Sequence, residues 1–274
     1  MSADPDGIEP LFDAIDGTAP LVVSVPHAGT YLPPSIASCL TPAARALSDT
    51  DWYVPRLYEF CGSLGASMIV ATHSRYVVDL NRPPDGAPLY PGMRETAVCP
   101  TETFDGRPLY SRGAEPAATR IGARIRRYWQ PYHERLAAIV HATRARHGRC
   151  LLWDAHSIRS AVPALFDGRL PDLNIGTADG RSCHPETARR IDAQLRGQRR
   201  FSHVIDGRFK GGYITRHYGR PSAGVEAVQL EIAQSAYLRD ETRPAFEPAV
   251  AAPLIEQLQA LLTALLPARA AGGE

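Results

Sequence analysis

Short apolar runs alternate along this chain with segments of helical periodicity, and no other feature constrains the fold as much. Leu21-Val22-Val23-Ser24-Val25 is rich in β-branched residues and is stopped by Pro26. Residues 67–71, 76–80, 150–154, 173–176 and 228–232 are further strand candidates, and the nearly all-apolar run 150–154 predicts a central position. Between them, residues 51–64, 116–147, 185–195 and 248–266 read as helices, the first with Pro55 tolerated in its opening turn. In residues 116–147, Ile121, Ile125, Tyr128, Tyr132, Leu136, Ile139 and Val140 recur at three- and four-residue steps, and Pro131 predicts a kink or a split. Arg120, Arg124, Arg126, Arg127 and Arg135 between them read as a solvated basic face. Strands alternating with helices give an α/β fold: one three-layer α/β/α domain over residues 1–274, with a mixed, mostly parallel central sheet. A chain of 274 residues, 44% of them hydrophobic, can bury such a core without disulfide staples.

The charge balance removes several classes of partner. Lys plus Arg is 30 and Asp plus Glu is 29, a net charge of +1. Such a chain is not built to hold nucleic acid by bulk charge. The N-terminus Met1-Ser2-Ala3-Asp4-Pro5-Asp6 lacks the basic-then-apolar pattern of a signal peptide, and no apolar run approaches the roughly 20 residues that span a bilayer. No membrane partner and a cytoplasmic location are therefore expected. Cys39, Cys61, Cys99, Cys150 and Cys183 are odd in number and widely spaced, which predicts reduced thiols rather than a disulfide framework or a Cys-rich zinc site. Cys183 and His184 are adjacent in sequence and so poorly placed to form a nucleophile–base dyad.

Residues 83–114 are rich in Pro, Gly, Arg and Thr and carry Arg94, Glu95, Thr101, Glu102 and Arg112. Irregular segments of that length are usually functional or disordered, and the charged residues favour a loop over an active site.

Two histidines stand where such a site would form. His27 follows the first strand directly, and His156 ends the Cys150 run in Trp153-Asp154-Ala155-His156-Ser157. Ligands of open α/β sheets bind beyond the carboxyl ends of strands, so the two imidazoles can share one crevice. Catalytic zinc sites usually have three protein ligands, often His with a carboxylate, and an open position for water. Ser48-Asp49-Thr50-Asp51-Trp52 offers the carboxylate: Asp49 suits a helix N-cap, and Asp51, two residues on, can point differently. Glu231 sits in the apolar run Val228-Gln229-Leu230-Glu231-Ile232. Alternation could place it on a wet face; alternatively it is a general base toward metal-activated water. Asn81-Arg82 follows the third strand candidate, and Tyr213, Thr215, Arg216 and His217 lie in the glycine-rich stretch 210–219. Either segment suits a small anionic amino-acid derivative, because Arg grips carboxylates through paired hydrogen bonds and glycines admit close backbone approach. A surface loop is the plain alternative for each.

Taken in order, these segments resemble the N-formylglutamate deformylase (N-formylglutamate amidohydrolase) family. The matching stretches are Ser24-Val25-Pro26-His27-Ala28-Gly29, Asp49-Thr50-Asp51-Trp52, Val78-Asp79-Leu80-Asn81-Arg82, Asp154-Ala155-His156-Ser157, Asp172-Leu173-Asn174-Ile175-Gly176-Thr177, the 211–219 segment and Gln229-Leu230-Glu231. They run from about residue 20 to about residue 240, so the resemblance spans most of the chain. The resemblance implies a carboxypeptidase-like fold. It also implies hydrolysis of N-formyl-L-glutamate to formate and L-glutamate, as in histidine degradation. The carboxypeptidase pattern has a Glu ligand three residues after its first His; here that position is Thr30, so Asp51 becomes the expected third ligand. The implied site is one divalent metal, with zinc the expected ion, on His27, Asp51 and His156. Glu231 is the implied base, Arg82 and Arg216 the implied carboxylate clamps, and Asn81, Tyr213, Thr215 and His217 further substrate contacts. Three other readings stay open: a related hydrolase of another N-acyl amino acid, an Fe(II) oxygenase with a two-His-one-carboxylate triad, and a non-catalytic binder of acidic metabolites.

Overall fold

Side chains one residue apart on a strand face opposite sides of its sheet, so a strand buried on both faces must be covered twice. The computed structural model describes residues 9–89, 92 and 94–267 and shows that arrangement. The strands are β1 (Phe12–Ile15), β2 (Leu21–Val25), β3 (Ser67–Ala71), β4 (Cys150–Ile158), β5 (Leu173–Gly176), β6 (His203–Ile205) and β7 (Val225–Ala233). They form one seven-stranded sheet in the order β1-β3-β2-β4-β7-β5-β6. β4 is the middle strand, as its composition predicts. β2 pairs in parallel with β3 and β4, β4 with β7, and β5 with β6. Only β1–β3 and β5–β7 are antiparallel.

The helices are α1 (Pro34–Ala37), α2 (Val54–Leu57), α3 (Ala118–Arg124), α4 (Gln130–His147), α5 (Pro185–Arg196), α6 (Tyr213–Tyr218) and α7 (Pro248–Leu265). Leu21, Val23 and Val25 of β2, Trp153 and Ala155 of β4 and Val228, Leu230 and Ile232 of β7 pack in one core cluster with Leu57, Ile191, Leu195 and the leucines of α7. Val22, Leu152 and Ala227 face the opposite cluster, with Tyr132, Leu136 and Ile139 of α4 and Ile214 of α6. The three layers are thus α2/α5/α7, sheet and α3/α4/α6. α7 is long and apolar enough to cross a membrane by length and composition. Its leucine stripe (Leu254, Leu258, Leu261, Leu262, Leu265) is spent on the core instead.

Several expectations need correction. Residues 76–80 are not a strand but a series of turns, in which Val77 N–H donates to Ser74 O and Arg82 N–H to Asp79 O. The expected helix over 51–64 is replaced by the single turn α2 and a 3₁₀ turn over Glu59–Gly62, because Tyr53 sits in the left-handed region at φ 59°. The long helix is interrupted just before Pro131 by a π-turn, Ile125–Trp129, which relieves the clash of the ring with the preceding turn. Arg124 is not on a solvated face: it is buried and donates to Tyr110 Oη (2.7 Å) and Val77 O (3.3 Å). Among the described residues, 83–114 contains no helix or named strand.

Candidate metal centre

The sheet reverses its winding between β2 and β4. The chain leaves β2 toward β3 on one side, and leaves β4 toward β5 on the other. Adjacent strands whose continuations part in this way open a crevice at their carboxyl ends. His27 follows β2, and His156 stands near the end of β4. β4 and β7 are parallel and in register, with Asp154 beside Gln229 and His156 beside Glu231. The α4-facing stripe of both strands therefore changes together, from Leu152 and Ala227 in the core to these four polar residues at the crevice.

Asp51 reaches the crevice because it lies outside the helix expected there. Its N–H donates to His27 O (3.1 Å), which turns its carboxylate toward both imidazoles. Asp51 Oδ2 lies 3.1 Å from His156 Nδ1 and 3.8 Å from His27 Nδ1. One ligand atom from each of His27, Asp51 and His156 falls within 4.8 Å of the others, and all three residues are buried. Two buried atoms at this centre, His27 Nδ1 and Asp51 Oδ1, have no hydrogen-bond partner. Such orphans are costly unless a cation takes them up. Two imidazoles and a carboxylate are also a donor set suited to zinc, so the residues present fit a divalent metal.

The far nitrogen of each imidazole is backed by a carboxylate. His27 Nε2 lies 2.8 Å from Asp79 Oδ1, and His156 Nε2 lies 3.0 Å from Asp154 Oδ1. Carboxylates behind metal-binding histidines fix the tautomer and raise ligand basicity. Arg75 is buried among these acids, with Nη2 2.6 Å from Asp79 Oδ2 and Nη1 3.7 Å from Asp51 Oδ1. Burial, then Arg75, lowers the His27 pKa and keeps that imidazole neutral. Burial opposes charge on His156 too, but Asp154 and Asp51 outweigh it and hold its pKa well above the ordinary value. Asp79 is held well below the usual carboxylate range, because Arg75 and His27 outweigh the cost of burial.

Asp49, the other carboxylate of that segment, is not part of the ligand trio. It does not cap α2, whose N-terminus has no side-chain cap. Its Oδ2 accepts the Phe104 N–H (2.8 Å) and so anchors residues 103–104 beside the centre.

A cavity opens on the centre. It is a narrow cleft, part of it open to solvent. His27, His156 and Glu231 line it together with Asn81, Gly212 and Gln229. Glu231 is buried rather than on a wet face. Among the described residues its carboxylate accepts no hydrogen bond, and burial pushes its pKa up to about 8. Asn81 Oδ1 accepts the Ile214 N–H (2.7 Å), which points Nδ2 at Asp154 Oδ2 (3.1 Å) and His156 Nε2 (2.9 Å). Arg82 lines the cavity, with Nε held by Thr96 O (2.9 Å) and Nη1 by Asn81 O (3.1 Å). From the 83–114 segment, Arg94, Glu95, Thr96 and Phe104 also line it.

Asp51 lies behind the cavity lining, and four further candidates stand away from it. Thr215 is buried beneath, its hydroxyl donating to Asp154 Oδ2 (3.3 Å). Tyr213 packs against Trp129 and His133 and stacks on the exposed His217. Arg216 Nε donates to Gly211 O (2.8 Å). Instead, Gly212 comes forward: a Cβ there would collide with the Asn81 amide. Its N–H donates to Gln229 Oε1 (2.8 Å). Arg75, Arg208 and Phe209 of the lining were missed by sequence reasoning. Asp154 and Asp79 had a readable signal, since each precedes a polar site residue by two positions.

Comparison with known proteins agrees with this picture. The family model described as N-formylglutamate amidohydrolase matches residues 19–238. N-formylglutamate deformylase of Pseudomonas aeruginosa is 50% identical over 250 residues, covering 91% of this chain and 94% of that protein. The enzyme of the same name from Pseudomonas putida is 47% identical over 251 residues, covering 91% and 93%. Among solved structures, N-formylglutamate amidohydrolase from Ralstonia eutropha JMP134 superposes with a TM-score of 0.78 at 23% identity, over 91% of this chain and 95% of that one. A protein of Agrobacterium tumefaciens gives 0.67 at 18%, over 93% and 96%. These two likenesses establish the fold. With a family match over most of its length and relatives near half identity, the chain belongs to the N-formylglutamate amidohydrolase family.

Proposed function

We propose that this protein hydrolyses N-formyl-L-glutamate to formate and L-glutamate, with a divalent metal, zinc by its donor set, on His27, Asp51 and His156. The observation that carries the reading is the buried trio of ligands with two unpartnered polar atoms, set beside the Glu231 carboxylate, which accepts no hydrogen bond among the described residues. The names of the two Pseudomonas relatives supply the substrate.

A cation held there supplies Lewis-acid polarisation of the formyl carbonyl and acidifies water. Glu231 is the proton carrier: it takes a proton from the attacking water and gives it to the departing amine, after which the carbon–nitrogen bond breaks. Burial raises its pKa to about 8, near neutral pH, which suits a group that must both take a proton and give it back. Asn81, oriented by Ile214, holds the Asp154–His156 pair in place. Arg82 beside it meets the α-carboxylate. Residues 94–96 and Phe104, the latter anchored by Asp49, form one wall of the site.

The test is formate release from a panel of N-formyl and N-acetyl amino acids, run with the parent protein and with Glu231→Gln. N-formyl-L-glutamate is expected to be the best substrate, and the variant to lose turnover while keeping its metal. Preference for another N-acyl amino acid would replace the substrate. Near-normal activity of Glu231→Gln would remove that residue from its role.

A further inference from the structure

The proton carrier and the metal ligands account for hydrolysis but not for the choice of a substrate with a second carboxylate. In an N-formyl dicarboxylic amino acid, the α-carboxylate sits on the carbon that bears the amide and falls to Arg82 beside the centre. The side-chain carboxylate ends farther out and needs another cation. Arg94 and Arg208 line the same cavity. Arg94 is half-exposed and already paired with Glu102 (2.8 Å). Arg208 is held differently: Nε donates to Leu165 O (2.9 Å), Nη2 donates to Arg94 O (3.3 Å), and the guanidinium lies 5.1 Å over the Phe209 ring.

Residues 206–212 form a strap between β6 and α6, and it is pinned at both ends. At the outer end, the Asp206 carboxylate accepts the Thr177 N–H (2.7 Å) and the Thr177 hydroxyl. Asp206 N–H donates to Ile175 O (2.8 Å), and its backbone is left-handed at φ 50°. Further along, Ala178 N–H donates to Lys210 O (2.6 Å). Gly176 leaves room for the Gly211 backbone, since a Cβ there would collide with it. At the inner end, Gly212 is fixed by Gln229 and Asn81. Arg208 lies between these anchors, so its guanidinium is set in the wall by a latch that itself lies outside the cavity lining.

We infer that Arg208 is the specificity-determining residue for the side-chain carboxylate, and that Thr177 and Asp206 are positioning residues that place it. The inference rests on the proposed deformylase reading. Arg suits this role because its planar fork meets a carboxylate through two parallel hydrogen bonds, which a Lys ammonium cannot reproduce.

The experiment compares kcat/KM for N-formyl-L-glutamate with that for the neutral isostere N-formyl-L-glutamine. It uses the metal-loaded parent protein, Arg208→Met, Arg208→Lys, Thr177→Val, Thr177→Ser and Asp206→Asn. Asn tolerates left-handed backbone, so Asp206→Asn keeps the strap's turn. The charged-to-neutral ratio is expected to fall about 100-fold in Arg208→Met, with partial recovery in Arg208→Lys. Thr177→Val and Asp206→Asn are expected to raise KM for the charged substrate roughly 10-fold at little cost in kcat, and Thr177→Ser to restore it. A ratio unchanged in Arg208→Met overturns the inference, as does an equal loss on both substrates. No formate from either substrate with the parent protein overturns the functional reading itself, a result distinct from both.

Discussion

At the scale of single residues, the centre depends on the carboxylates behind its two imidazoles. Asp79 lies against Nε2 of His27 and Asp154 against Nε2 of His156. Asp154→Asn keeps the shape and removes the charge, so metal affinity is expected to fall by 10- to 100-fold, roughly. Isothermal titration of the metal-free protein with zinc measures this, and unchanged affinity would deny Asp154 that role. His133 tests burial in another way. It stacks on Trp129, its Nε2–H donates to Leu80 O (2.8 Å), and Tyr218 Oη lies 3.1 Å from Nδ1. Burial lowers its pKa from 6.5 to about 3. The unfolded chain therefore binds this proton first. The stabilising contribution is complete above pH 6.5 and is lost as pH falls toward about 3. Urea midpoints are expected to drop with pH over that window, and less steeply in His133→Gln. His27, His156 and Glu231 were legible because each stands at a strand end or breaks an apolar run. Arg75 was not, because nothing local in Ser74-Arg75-Tyr76 tells that three carboxylates converge on it.

At the scale of elements, long apolar runs were legible and short or irregular ones were not. β2, β3, β5, α5 and α7 follow the expected segments closely, and β4 and β7 contain theirs but run on to nine residues each, the central strands being apolar because both of their faces are covered. Residues 76–80 have the same composition for a different reason. Tyr76, Val77 and Val78 are buried within turns that carry Asp79 and Asn81 to the centre. β1 and β6 have four and three residues at the sheet edges, too few for a period to show. The contact of the α6 start with Asn81 yields a further expectation. Gly212→Ala must displace the Asn81 amide and with it the Asp154–His156 pair. Turnover is expected to fall about 100-fold while the far-UV circular dichroism stays that of the parent. A fully active Gly212→Ala would show that Asn81 does not need this position.

At the scale of the whole molecule, the chain concentrates charge at one end of its central strands. Asp51, Asp79, Asp154, Glu231, Arg75, His27 and His156 are all buried together. A folded protein that gathers His27, Asp51 and His156 and an unfolded one that scatters them differ in metal affinity, so a metal bound there would stabilise the native state. Chelation is expected to lower the melting temperature, and added zinc to restore it in a concentration-dependent way. Differential scanning fluorimetry reads this directly, and an unmoved melting temperature with loss of bound metal would separate the metal from the fold. The central claim is that these residues form a metal-dependent deformylase. It is tested most directly by formate release from N-formyl-L-glutamate before chelation, after chelation and after metal add-back. Loss of formate release on chelation, recovered with a divalent metal, is the predicted result; full activity in protein shown by elemental analysis to be metal-free would contradict it.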